Sequence, residues 1–355
     1  MKLLYAFNRE MKDSLSKFNK RDIDIYKQVF KFEQDGWLVD RTNTIEFPLA
    51  RLLNEQFALP ASHAASTFDD ACISRACELL DANKKIYIMW SGGIDSTAIV
   101  TAFLASGQDL SNIVIALNHD SIKEYPKFYF EHIRPKFPVI AIEELMTIAS
   151  TIGIEGIVLS GEHADQLIGG SNMASAVVQN LGADFLAKQL TRENFKILMS
   201  SKRVDDWAID CWFDMYTATF AKSPRELQTM YDLIWWHGFN FRWQPIGMKL
   251  FTRMNKGTDL RTFYSSIKFQ TWAINHVPDL SMINTLKSET KDFILSYTKD
   301  IEYAHNKIKH PSSTLYFGKP SAAAVDQNFY KISHLDFYLP DFYVLDNSIT
   351  KWMST

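Results

Sequence analysis

Four short apolar runs stand out along the chain: Ile86 to Trp90, Ile113 to Leu117, Val139 to Ile142 and Ile157 to Ser160. Each is continuous rather than alternating, the pattern of a strand buried on both faces. Helix-length segments separate them, the clearest being Thr97 to Leu104. Strands alternating with helices predict an α/β architecture, a parallel sheet with helices on both faces and right-handed crossovers. Upstream, Ser66-Thr67-Phe68-Asp69-Asp70 reads as a helix start, with Ala71, Ile73, Cys77, Leu79 and Leu80 as its apolar positions. Before Pro60 the pattern is weaker: helical spacing at Ile23, Tyr26, Val29 and Phe30, and a short alternating piece from Trp37 to Asp40.

After Gly170 the chain becomes mostly helical in pattern and rich in aromatics, with Trp207, Trp212, Tyr216, Tyr231, Trp235, Trp236, Phe239, Phe241 and Trp243. These are expected to pack a helical core rather than to stack bases. The organisation is therefore an accessory segment over 1–66, a main domain over 67–320 with its α/β core at about 84–170 and a helical part at 171–320, and a tail over 321–355. Phe337, Tyr338, Leu339, Phe342 and Tyr343 should dock that tail on the body.

Composition narrows the class. A length of 355 residues is enough for about two domains or one large core with appendages, and 46% hydrophobic with 22% charged residues is an ordinary globular balance. With 38 Lys+Arg against 41 Asp+Glu, nothing suggests a protein built to coat nucleic acid or an anionic membrane. Cys72, Cys77 and Cys211 form no C-x-x-C pair, so they read as small buried hydrophobes in a reducing compartment. The first apolar stretch is too short for a signal peptide and no run approaches the ~20 residues that span a bilayer, so a cytoplasmic location is expected. The nine histidines show no zinc-type spacing, and His119-Asp120 reads as a solvated loop pair.

The segment from Ile86 through Ser91-Gly92-Gly93-Ile94-Asp95-Ser96 is a strand, a glycine turn and a helix start in succession. That order makes an anion cradle, because glycine lets backbone N–H groups approach phosphate oxygens and the positive end of the next helix faces the same point. Ser91 and Ser96 add hydroxyls. Asp95 would repel phosphate unless a cation sits between, and Mg²⁺ fits that role. The pattern is neither a Walker loop nor G-x-G-x-x-G. At the end of the fourth run, Leu159-Ser-Gly-Glu-His-Ala-Asp-Gln-Leu-Ile-Gly-Gly170 again leads a strand into a glycine-flanked turn, with Glu162 and Asp165 as its carboxylates. In an open parallel sheet both turns open on one crevice, so Asp95 and Asp165 are expected to share a cation.

Ser-Gly-Gly-Ile-Asp-Ser resembles the PP-loop of the ATP pyrophosphatases, and the second segment is similar to the Ser-Gly-Glu-Gly-x-Asp-Glu-x-x-x-Gly-Gly motif of the asparagine synthetase family, which includes β-lactam synthetase and the lasso-peptide cyclases. The resemblance runs from about Phe68 to Lys309 and is carried by these two motifs. It implies a five-stranded PP-loop sheet and a helical C-terminal part. It further implies Mg²⁺ on Asp95 and Asp165, pyrophosphate on Ser91, Gly92, Gly93 and Ser96, adenosine flanked by Met89, Ile115 and Gly161, and Glu162 facing the reactants. His163 stands where the family has glycine, Gln166 where it has glutamate, and Ser171 where a tyrosine is common. Leu260-Arg-Thr-Phe-Tyr-Ser matches the family's Arg-x-Pro-Phe-Leu-Asp segment without its proline and aspartate. Lys287-Ser-Glu-Thr-Lys291 resembles the family's lysine-to-Leu-Arg helix, after which an essential lysine follows; Lys309 is the first candidate and Lys307 the second.

The implied activity is that of an ATP-dependent carbon–nitrogen ligase that adenylates a carboxylate of a small molecule or peptide, releases AMP and pyrophosphate, and joins the acyl group to ammonia or an amine. Residue 2 is Lys2 and no cysteine precedes Cys72, so the expectation is that the chain lacks a glutaminase nucleophile. Nitrogen would come from free ammonia, a separate nitrogen-supplying protein or an amine on the substrate. Two alternatives stay open: a PP-loop enzyme that modifies a nucleobase or tRNA, and a catalytically degenerate ATP-binding scaffold.

Overall fold

The structure, a computed structural model, describes residues 39–45, 58–60, 66–142, 156–169, 171–200, 205–244, 246–247, 259–278 and 286–307. The helical spacing at Ile23 to Phe30, the tail from Ser321 and Lys309 lie outside the described residues. A five-stranded parallel sheet forms the centre, with strands β1 (Ile86–Met89), β2 (Ile113–Leu117), β3 (Val139–Ala141), β4 (Ile157–Ser160) and β5 (Asp259–Thr262). Their spatial order is β3-β2-β1-β4-β5, and every pairing is parallel. Burial follows the order. β1, β2 and β4 are buried at every position, so both sheet faces are covered there, whereas β3 and β5 at the edges are only partly buried.

The four apolar runs are thus strands, shortened by one residue at Trp90 and at Ile142; both still donate to the neighbouring strand, Trp90 N to Ala116 O at 2.8 Å and Ile142 N to Leu117 O at 2.9 Å. β5 has no apolar run to reveal it. Asp-Leu-Arg-Thr alternates because an edge strand needs to hide only one side.

The chain lays β1, β2 and β3 outward in one direction and then returns to place β4 on the other side of β1. The β1–β4 boundary is therefore the switch point, and the turns that follow these two strands are neighbours at the carboxyl edge of the sheet. Helix α1 (Phe68–Asp81) is closed by a capping box between Thr67 and Asp70, which explains the start signal. Helix α2 (Ile94–Ala105) follows β1 and is buried along most of its length. Helix α3 (His119–Glu124) follows β2, so His119-Asp120 opens a helix capped by Asn118 instead of lying in a loop.

Beyond β4 come α4 (Ala164–Leu167), α5 (Ser171–Leu181), α6 (Arg192–Met199), α7 (Asp206–Phe220), α8 (Met230–Trp236, continued by a wider π-type turn to Phe241), α9 (Ile267–Asn275), α10 (Ser288–Thr298) and α11 (Ile301–Asn306). The aromatic stripe packs the core: Trp212, Tyr216, Tyr231, Trp235, Trp236, Phe239, Phe241 and Trp243 are all buried. Trp207 is the exception, 43% exposed at the start of α7. Cys72 is buried as expected, but Cys77 and Cys211 are partly exposed because they fall on the outer flanks of α1 and α7; all three are free thiols.

Residues 39–45 fold onto this body. Val39 joins the core, and its N–H donates to Phe241 O. Val39 and Asp40 enter a turn where the sequence pattern suggests a strand, because the Asp40 carboxylate gathers the N–H groups of Thr42, Thr44 and Ile45. Arg41 is buried beside the rings of Phe239 and Trp243, donating to Phe239 O and Gln270 Oε1, both at 2.6 Å. Among the described residues, no helix is long and apolar enough to cross a membrane.

Candidate functional site

The turn after β1 is built by exclusion. Gly92 has φ +75, and a Cβ there would lie 2.2 Å from Ser121 O and 2.6 Å from Glu124 Cβ, so no side chain fits. Gly93 is the N-cap of α2 and supplies no side-chain cap, which leaves the first turn of that helix open at the carboxyl edge of the sheet. The loop is tied internally by its serines. Ser91 N donates to Ser96 Oγ at 3.1 Å, the two hydroxyls are 3.0 Å apart, and Gly93 N donates to Ser91 Oγ at 3.3 Å. Trp90 fixes the strand end by donating its indole N–H to Thr97 Oγ1.

The turn after β4 lies directly against it. Gly161 faces the start of α2 so closely that a Cβ would be 3.6 Å from Ser96 N and 3.7 Å from Asp95 Cβ. Glu162 N donates to Ser160 Oγ at 3.1 Å, and the side chain of Glu162 is partly exposed. His163 has φ +74, a left-handed backbone like that of Gly92 and one that glycine adopts without strain. Its ring is buried on Trp243, with centroids 4.3 Å apart, and both nitrogens are engaged, Nδ1 with Thr262 Oγ1 and Nε2 with Trp243 O, each at 2.8 Å. The Trp243 carbonyl can only accept, so Nε2 carries the proton and Thr262 donates to Nδ1. Burial first, and the nearby Arg41 charge, push its pKa down to about 4, keeping it neutral.

Asp95, in the first turn of α2, and Asp165, in α4, converge as the sequence pattern implies, and the group between them is Lys287. Its ammonium donates to Asp95 at 2.5 and 2.6 Å and pairs with Asp165 Oδ1 at 2.7 Å, while its side chain is 1% exposed. Lys287 stands at the N-cap of α10, which packs on α2. Carboxylate oxygens from two elements aimed at one cation fit Mg²⁺ in kind, because that ion takes one or two carboxylates and completes its shell with phosphates and water. Tyr264, just past β5, donates its hydroxyl to Asp95 O at 2.8 Å; burial and then the Asp95 charge push its phenol well up, so it remains a donor.

The structure brings together Ser91, Gly92, Gly93, Asp95, Ser96, Gly161, Glu162 and Asp165. Met89 ends β1 beside them, nearly buried, and Ile115 lies mid-strand in β2, fully enclosed in the core. Lys307, which ends α11, pairs with Glu124, the residue whose Cβ closes over Gly92, so it reaches the flank of the same turn. Lys291, one turn along α10 from Lys287, has its pKa lowered to about 8, chiefly by burial. Gln166 is buried, and its Oε1 has no hydrogen-bond partner among the described residues.

Sequence reasoning missed the position of Lys287 and the role of Tyr264. Neither has a local signature: Lys287 is 192 residues from Asp95, and only the fold joins them. Among the described residues no cluster of three or more His, Cys, Asp or Glu could hold a metal ion. No protein-family model matches the chain, and no curated protein matches it either.

Proposed function

We propose that this chain is an ATP-dependent ligase of the PP-loop type, which activates a carboxylate as an acyl-adenylate and passes it to ammonia or an amine. One observation carries the reading: the turns after β1 and β4 meet at the sheet's switch point, with Gly161 against Ser96 N and with Asp95 and Asp165 aimed at one cation position. An open helix start, loop hydroxyls and paired carboxylates are what a magnesium-bound pyrophosphate requires.

In this reading the Ser91–Ser96 loop and the first turn of α2 hold the β- and γ-phosphates, and Met89 and Gly161 lie on the adenosine side, whereas Ile115, fully enclosed in the core, offers the nucleotide no surface. A carboxylate oxygen of the substrate attacks the α-phosphorus, the bond to the bridging oxygen breaks, and pyrophosphate leaves. The amine then attacks the acyl carbon and AMP leaves, with the ammonium proton passing to a base. Glu162, at the mouth of the β4 turn, orients the reactants or takes that proton. Mg²⁺ held by Asp95 and Asp165 would neutralise charge on the departing pyrophosphate. Lys307 flanks the loop from the end of α11; Lys309, two residues on in sequence, is the other candidate. The near-neutral net charge favours a small molecule or peptide as the carboxylate.

The test is ATP–pyrophosphate exchange screened over amino acids, peptides and nucleotides, with Asp165→Asn as control. Substrate-dependent exchange and AMP, both lost in the control, are expected; ADP as product sinks the reading. A second reading, a catalytically degenerate ATP-binding scaffold, is favoured by Lys287 standing in the cation position. ATP binding with no AMP formed under any substrate would decide for it.

A further inference from the structure

We propose that the Lys287 ammonium is the resident cation of the Asp95–Asp165 pair, and that a divalent ion enters this site only together with a polyphosphate that draws the ammonium away. The first half stands on geometry alone; the second rests on the nucleotide reading above.

Three short charge-assisted contacts hold the ammonium, two to Asp95 and one to Asp165, which is all the three N–H groups of a lysine can make. A free divalent ion would have to expel this group, and the lysine would be left buried without its anions, a costly state for any charge. Mg²⁺ also sheds water reluctantly and gains only part of its shell from two carboxylates. The balance changes when a polyphosphate arrives. Its oxygens complete the shell of the ion, and its negative charge gives the displaced ammonium a new partner over the open first turn of α2. Lys287 can make that move: its backbone lies outside the regular helix, with φ −136 and ψ 35, and its charge sits on a flexible four-carbon stem. The consequence is an entry rule, in which neither free metal nor metal-free nucleotide takes the site fully, and the metal–nucleotide complex does.

The probe is Mn²⁺, with free ion followed by electron paramagnetic resonance on the full chain, with and without α,β-methylene-ATP. The wild-type chain should show no nucleotide-free Mn²⁺ site tighter than millimolar, and with the analogue one site at least a hundredfold tighter. Lys287→Met should gain a nucleotide-free site at least tenfold tighter than wild type, and Asp165→Asn added to it should abolish that gain. A wild-type chain that binds Mn²⁺ without nucleotide as tightly as Lys287→Met, at a site lost in Asp165→Asn, overturns the proposal. If Lys287→Met does not fold, the wild-type and Asp165→Asn titrations still decide, since a tight nucleotide-free site that depends on Asp165 is incompatible with a resident ammonium. Failure of the ligase reading looks different: no uptake of the analogue at any Mn²⁺ concentration, with the gain in Lys287→Met unaffected.

Discussion

Two turns at the carboxyl edge of the sheet adopt the same left-handed backbone and reach it by opposite means. After β1, Gly92 has φ +75, and Ser121 O and Glu124 leave no room for a Cβ. After β4, His163 has φ +74, and the cost of placing a side chain there is offset by an imidazole stacked on Trp243 and bonded at both nitrogens. One turn is fixed by the absence of atoms. The other is fixed by a side chain that points away from the crevice into the core, so the turn is held from behind. A shared positive φ therefore does not make the two residues interchangeable.

The sharpest way to break the comparison is Gly92→Ala. A left-handed alanine costs ~1–2 kcal/mol, and moving the Ser121 carbonyl aside adds an overpacking cost of ~1–3 kcal/mol. We expect a loss of about 4 kcal/mol in urea unfolding, together with loss of nucleotide binding. His163→Ala should come next. It keeps the left-handed strain, strands the Trp243 carbonyl and the Thr262 hydroxyl, and should cost about 3 kcal/mol. His163→Gly should recover about 1 kcal/mol of that by removing the strain alone. If the alanine and glycine variants are equally stable, strain plays no part at this position.

Acid separates the turns without mutation. The His163 pKa is lowered from the ordinary 6.5 to about 4, so below pH 6.5 the unfolded chain takes a proton that the folded one refuses. The stability from the neutral ring is fully present above pH 6.5 and is lost as the pH falls toward 4. The facing groups are Thr262, the Trp243 carbonyl and Arg41; the carbonyl favours an imidazolium, but burial first and the Arg41 charge with it outweigh that one contact. Relative to His163→Gly, the wild type should lose about 2 kcal/mol between pH 6.5 and pH 5, at 1.36 kcal/mol per unit. Parallel unfolding curves for the two proteins across that range would remove His163 as the cause.

The contrast also shows what a sequence can disclose. Gly92-Gly93 after an apolar run, and Asp95 two residues on, are local statements, and the structure realises them where the pattern puts them. β1, β2 and β4 were equally legible, because strands covered on both faces need continuous apolar runs; β3 carries the same kind of run at a partly buried edge. β5 was hidden by its edge position, where alternation suffices. His163 stood out as a departure, but its anchor, Trp243, is 80 residues away. The same holds for Lys287: the two carboxylates suggested Mg²⁺, and a lysine joined to them only through the packing of α10 on α2 stands between them. Local chemistry was readable, while partners brought in by tertiary packing were not.

Gly161→Ala tests the smallest difference between the turns. A Cβ at this position meets Ile99 Cδ1 and Ser96 N at 3.6 Å and Asp95 Cβ at 3.7 Å, all ordinary van der Waals distances, and Gly161 is not among the residues with positive φ. The variant should fold with stability within about 0.5 kcal/mol of wild type, as substitutions without strain or cavity do. The added methyl nevertheless lies against the amide of Ser96 in the first turn of α2, the group that a phosphate or ribose oxygen would approach in the proposed nucleotide site. Nucleotide affinity should fall about tenfold, equivalent to ~1.4 kcal/mol, in calorimetric titration with α,β-methylene-ATP, while the urea midpoint stays in place. Gly92→Ala would lose both properties together, so a separation of affinity from stability at Gly161, and not at Gly92, marks the β4 turn as the wall of the crevice and the β1 turn as its frame. Equal affinity in Gly161→Ala and wild type would mean that the space between Gly161 and Ser96 receives no part of the nucleotide.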